Sequence, residues 1–208
     1  MRRVLAFSLL ALLLPVSAWA TGINLINNHG SISVSNSGVV SVGSQLMAFN
    51  GITPSPNHSL GGVSFSTGAC LTNCNGGWAS GNSTFSGVGS SFVVTGKGKD
   101  LPVQLRTVIF SGSFVGDVTW TFNGKDSKGR LSYTLSGTIQ GTLWDGRVVT
   151  GTTTQNFFSA SGQINNGIGH IDVGNTNLPV PEPSTLGLLG TGLLGVAGMV
   201  RRRMTSRA

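Results

Sequence analysis

The chain has 208 residues, with 13 Lys and Arg against 6 Asp and Glu, a formal net charge of +7 and only 9% charged residues. That length suggests one domain or two, and 39% hydrophobic residues in long alternating stretches argue against a disordered chain. A basic balance would point to nucleic acid or an anionic membrane. Nucleic-acid binders, however, gather Lys and Arg on one surface, and the middle of this chain is nearly bare of charge.

Residues 1–20 open with Arg2 and Arg3, continue as an apolar run over residues 4–16, and end Ser17-Ala18-Trp19-Ala20. A basic start, a short apolar core and small residues at Ala18 and Ala20 predict a secretory signal peptide, cut by signal peptidase after Ala20. A retained anchor is the competing reading, and the run is shorter than a bilayer span requires.

Residues 21–180 are dominated by Gly, Ser, Thr and Asn with Val, Ile and Phe interleaved. Alternation without a sustained helical period predicts an all-β domain, an antiparallel sandwich or a partly open barrel of about eight strands. Early strands are expected at 31–34, 39–42, 62–66 and 91–95. Over residues 108–122 the apolar positions are even, and over 131–143 they are odd, with a polar turn between. This predicts a hairpin pairing Phe122 with Leu131, Trp120 with Tyr133, Val118 with Leu135 and Phe114 with Ile139. The same register sets Gly116 opposite Gly137 and Gly112 opposite Gly141. Asp145-Gly146 predicts a two-residue turn that returns the chain along 148–159, and a further strand is expected over 163–173. The exported domain would then cover 21–173 and a linker 174–179.

Few residues suggest chemistry. Cys70 and Cys74 are the only cysteines, and in an oxidising exported compartment a small disulfide loop is expected. Two thiols with no His near in sequence are too few for a metal site. His29, His58 and His170 stand apart, and the body contains no Glu, which disfavours a two-carboxylate glycosidase. Neither a nucleophile elbow nor a metalloprotease motif is present, so no catalytic residue, metal or cofactor is assigned. Thr150, Thr152 and Thr154 share one strand face at about 6.6 Å spacing. The two-residue turn would put that row on the apolar face, as an ordinary Thr-rich strand. Trp78, in a Gly-rich loop, and Trp144, beside a turn, are possible glycan contacts. Partial burial at a sheet edge is their alternative.

The C-terminus reads Val180-Pro181-Glu182-Pro183-Ser184, then an almost unbroken apolar stretch over 186–200, then Arg201-Arg202-Arg203. The fifteen residues 186–200 make about 22 Å of helix, short of a roughly 30 Å hydrocarbon core, so a span over 184–200 needs Ser184, Thr185 or some bilayer thinning. The Arg cluster would hold its end on the cytoplasmic side. Residues 180–204 resemble the PEP-CTERM sorting signal of Gram-negative bacteria, a stretch similar also to segments called ice-binding protein C-terminal domains. The resemblance implies recognition at Pro181, Glu182 and Pro183 by an exosortase, a membrane transpeptidase, with Arg201, Arg202 and Arg203 as the stop. It also implies passage through the inner membrane and delivery to the cell surface or outside the cell, often beside exopolysaccharide. A permanent single-span anchor is the alternative. Within the body, residues 62–68, the 110–120 strand and the 133–154 hairpin are similar to domains of other PEP-CTERM proteins, mostly without assigned function.

The charge can now be divided. Arg2 and Arg3 carry +2, and the tail from residue 181, four Arg against Glu182, carries +3. Seven basic residues against five Asp leave +2 on the body, too little for a nucleic-acid footprint. The sequence therefore predicts an exported, non-enzymatic surface or matrix protein, with a carbohydrate-binding adhesin and an unrecognised hydrolase as alternatives.

Overall fold

Alternating side chains require each strand to turn one face from water, and the chain meets that requirement by curling into a ring. The computed structural model describes residues 22–159, 168–180 and Gly195. The strands are β1 (Gly22–Asn28), β2 (Ser31–Ser35), β3 (Gly38–Val42), β4 (Ser44–Phe49), β5 (Gly61–Ser66), β6 (Cys70–Thr72), β7 (Ser83–Phe85), β8 (Ser91–Gly96), β9 (Val108–Lys125), β10 (Leu131–Leu143), β11 (Val148–Ser159) and β12 (Ile168–Pro179). Two 3-10 turns, Gly77–Ala79 and Val103–Leu105, interrupt the loops. Among the described residues, no helix is long and apolar enough to cross a membrane. The span expected at 184–200 and the signal peptide expected at 1–20 lie outside the described residues.

Eight strands close on themselves in the order β1, β4, β5, β8, β9, β10, β11, β12 and back to β1, every pairing antiparallel. The other four extend the ring: β2 and β3 pair with β12 and β5, and β7 pairs with β9 and with β6. The fold is thus all-β, as expected, but neither a sandwich nor partly open. The correction comes from residues 174–179. Instead of a linker they form the second half of β12, held by β1 on one edge and β11 on the other. Their pairing with β1, from Gly22 opposite Pro179 to Asn27 opposite Gly174, removes both edges of the sheet.

The β9–β10 hairpin agrees with the expected register at its base and departs from it above. Phe114 faces Ile139 and Gly112 faces Gly141, but Tyr133 meets Phe122 and Leu135 meets Trp120. Between Val115, opposite Thr138, and Thr119, opposite Ser136, β9 carries two extra residues. Gly116 sits in this bulge at φ +75, a conformation that costs other residues. The following turn is also longer than expected. Leu143 N–H donates to Arg147 O, leaving three residues with Gly146 left-handed. That shifts β11 by one, so Gly141 pairs with Val149 and Ile139 with Gly151. The inward residues of β11 become Val149, Gly151, Thr153, Gln155 and Phe157.

Side chains fill the interior. On one side Trp120 stacks on Phe157 at 5.5 Å between ring centroids, and Phe65 stacks on Phe92 at 6.0 Å with Phe114 edge-on to both. The other side is polar. Asn27 and Gln155 exchange amide hydrogen bonds of 2.9 and 3.2 Å; Asn27 also donates to Ser44, Gln155 donates to Thr153, and Thr153 bonds Thr176. Among the described residues every buried side-chain polar atom has a partner, so this patch does not carry the cost of unpaired burial. It depends on Gly174, where an added Cβ would lie 2.0 Å from Gln155 Oε1 and 2.2 Å from Asn27 Oδ1.

Gly174→Ala must therefore part the Asn27–Gln155 amide pair or push β12 outward. We expect a loss of about 2 kcal/mol or more in urea unfolding, whereas Gly146→Ala, with open space around it, should cost about 1 kcal/mol.

Candidate functional site

Each end of the barrel is closed by a loop, and this decides where a functional site can lie. At the end carrying the β9–β10 turn, the 73–82 loop folds over the mouth. Cys70 and Cys74 form a disulfide, Cα atoms 5.8 Å apart, at the base of this loop. Trp78 is 1% exposed, tilted against Phe85. The backbone beside it is gripped from inside the barrel: Trp120 Nε1–H donates to Trp78 O at 2.9 Å and Tyr133 O–H to Ala79 O at 2.9 Å. Trp78 is thus a stopper, and its expected role as an exposed glycan contact is corrected. A Gly-rich loop suggested exposure; the two carbonyls capped by buried aromatic donors pull it inward. Trp144 is half-buried, edge-on to Phe49 at 6.0 Å.

At the opposite end Leu60, Leu101 and Leu105 are buried beneath two loops. Asp100 clamps these loops together, accepting from Ser55 N–H at 3.0 Å and from Ser55 Oγ–H at 3.2 Å. Arg106 donates to Lys99 O and Leu101 O and so holds the second loop in shape. The backbone N–H of Ser55 is the main reason the Asp100 carboxyl is held below its ordinary value, with the Ser55 hydroxyl, His58 and Arg106 adding to it. At the neighbouring turn Arg147 grips Asp145 at 2.6 Å, lowering that carboxyl in turn.

The remaining candidates are dispersed. His29 sits at the β1–β2 kink, bonded to Asn28; His58 lies in the 50–60 loop, its Nδ1 on Pro56 O; His170 lies on the outer side of β12 against Phe158. Among the described residues no three His, Cys, Asp or Glu side chains gather as a metal would require. One surface depression is lined by Ser86, Val88, Ser90 and Asp117, and a second by Ser55, His58, Lys97, Lys99 and Asp100.

The Thr row is the second correction. With β11 shifted by one, Thr150, Thr152 and Thr154 point outward, opposite Gln140, Thr138 and Ser136 on β10. Asn177 and Asn175 on β12 continue the rows from Thr152 and Thr154. The result is an uncharged hydroxyl and amide face across three strands. The sequence showed the row, and one residue of turn length decided its side.

The sorting residues Pro181, Glu182, Pro183, Arg201, Arg202 and Arg203, and the cleavage residues Ala18 and Ala20, lie outside the described residues. The chain leaves β12 at Pro179, opposite Gly22. The tail that follows is a PEP-CTERM protein-sorting motif, whose family model matches residues 179–203. Residues 179–203 thus carry a PEP-CTERM sorting motif, and the match does not extend into the barrel beyond Pro179. No curated protein and no solved structure matches the chain.

Two outcomes check these assignments. Trp78→Ala should lower the unfolding free energy by about 3–5 kcal/mol, as for a large aromatic removed from a core, read from denaturant midpoints. For Asp100, a carboxyl lowered by folded contacts stabilises fully above its unfolded value and ceases to do so as acid protonates it. Asp100→Asn should therefore melt below wild type at neutral pH, and the two should converge once pH falls below the carboxylate range.

Proposed function

We propose that this is an exported, non-enzymatic protein of the cell surface or extracellular matrix, released or attached by an exosortase and associated with exopolysaccharide. The observation that carries the reading is the tail. A PEP-CTERM motif implies export, a membrane-held precursor and processing by the exosortase system to the cell surface. The barrel supports the non-enzymatic part: its interior is packed with side chains, both mouths are stoppered, and its three histidines sit on separate elements. A domain built this way offers its outer surface to the surroundings and keeps its interior for stability.

A carbohydrate-binding adhesin is the second reading, and the outward Thr150, Thr152 and Thr154 with Asn175 and Asn177 favour it. Such a face offers many neutral donors and acceptors, the groups a polysaccharide presents in return. With Trp78 buried, the Trp78–Trp144 pair does not support that reading.

Glu182→Ala should leave full-length protein in the inner membrane of a host that carries an exosortase, read by fractionation and mass spectrometry. Unchanged release would contradict the sorting reading. A glycan array probed with wild type and with Thr152→Lys separates the adhesin, whose binding should fall with the substitution, from a matrix protein that binds nothing on the array.

A further inference from the structure

The strand pairings place both ends of the barrel segment, Gly22 and Pro179, at one rim. The same rim carries the 50–60 loop, the 97–107 loop and the 144–147 turn, because Gly61 pairs with Gly96 and Phe110 with Leu143. The 97–107 loop brings the exposed cations Lys97, Lys99 and Arg106, against one carboxylate, Asp100, already engaged by Ser55. Apolar side chains stand among them: Val103 is 75% exposed, Val148 67% and Val108 44%. Cationic heads beside solvent-exposed valines have the chemistry of a surface that rests on anionic headgroups with its apolar groups at the acyl boundary.

Chain length selects the occupant. Six residues separate Pro179 from Leu186, where the apolar stretch of the tail begins, and six extended residues reach only about 20 Å. While the tail is held in a bilayer, this rim has no freedom to move far from the headgroups. The opposite end offers a similar charge, Lys125, Lys128 and Arg130 against Asp126, but lies a strand length further away. Charge alone would not choose between the two ends; the tether does.

We infer that the rim formed by Lys97, Lys99, Arg106, Val103, Val108 and Val148 docks on the anionic leaflet that holds the precursor's own tail, seating the barrel on the membrane until the tail is cut. The inference rests on reading the tail as a membrane-held sorting signal. Cutting removes the tether, and three cations with three valines are then a weak hold, so the barrel leaves.

The test uses the full-length precursor, prepared without exosortase, in nanodiscs of phosphatidylcholine alone or of phosphatidylcholine with phosphatidylglycerol. Backbone hydrogen exchange is followed in the 97–107 loop and, as an internal control, in the 126–130 turn. Exchange in the 97–107 loop should slow by about thirtyfold on the anionic discs, the scale expected of two lysines at a charged surface. It should not slow on neutral discs, and the 126–130 turn should not respond. Lys97→Gln with Lys99→Gln should abolish the protection without altering the melting temperature. Equal exchange on both disc types, with the precursor bound to the discs, would overturn docking and leave the sorting reading standing. Equal protection of both ends would overturn it too, as unspecific attraction. Failure of the precursor to purify with either disc would overturn the membrane-held tail, and the docking with it.

Discussion

The structure depends on one ladder, the six residue pairs that join β1 to β12. Every other neighbouring pair in the barrel is close in sequence, whereas this one joins residues 22–27 to residues 174–179. Without it the sheet would expose two unpaired edges and open its interior to water. With it, Ile23, Leu25, Leu178 and Thr176 turn inward together. The buried amide pair of Asn27 and Gln155 lies across this seam, linking β1 to β11 past Gly174 on β12. It suits the position, because a satisfied polar pair accepts only one register where an apolar surface would tolerate sliding.

A barrel closed in this way could have enclosed a ligand, as eight-stranded barrels with smaller interior residues do. This one spends its interior on Phe65, Phe92, Phe110, Phe114, Trp120, Tyr133 and Phe157, and turns a loop into each mouth. The surface open to other molecules is the outside, where Thr, Ser and Asn dominate the strands and charge is concentrated in the loops at the two ends. The division matters for an exported domain: the sides are neutral and hydroxylated, and the ends are the places where electrostatics act.

Much of this was legible in the residues. The alternation over 108–122 and 131–143 shows two long strands, and the facing pairs Phe114–Ile139 and Gly112–Gly141 follow from matching apolar to apolar and Gly to Gly. The sorting motif of the tail was legible, because its order of Pro-Glu-Pro, apolar stretch and Arg cluster is a linear code that needs no folding to be read. What escaped was set by single residues. The two extra residues beside Gly116 and the extra residue in the Trp144–Arg147 turn shift register without changing composition, and the second of them decides which side the Thr row faces. Trp78 escaped because its burial is fixed by distant donors: Trp120, 42 residues on, to its own carbonyl, and Tyr133, 54 residues on from Ala79, to the next. Residues 174–179 look like a tether because Gly, Asn and Thr dominate them, yet alternate ones among them, Gly174, Thr176 and Leu178, line the interior.

The position of the closing strand also fixes an order in time. A chain that enters a membrane channel from its N-terminus delivers β1 first and β12 last. Until β12 emerges, β1 has β4 on one edge and nothing on the other, and the outer edge of β11 stays unpaired. The loop closure of highest sequence separation in the barrel, the costliest in chain entropy, would therefore wait on the last few residues to cross. An exposed pair of edges during that interval invites pairing with another chain. Only six residues then separate the closing strand from the start of the apolar stretch of the tail, so a chain exported in this way would seal its barrel only as that stretch reaches the membrane.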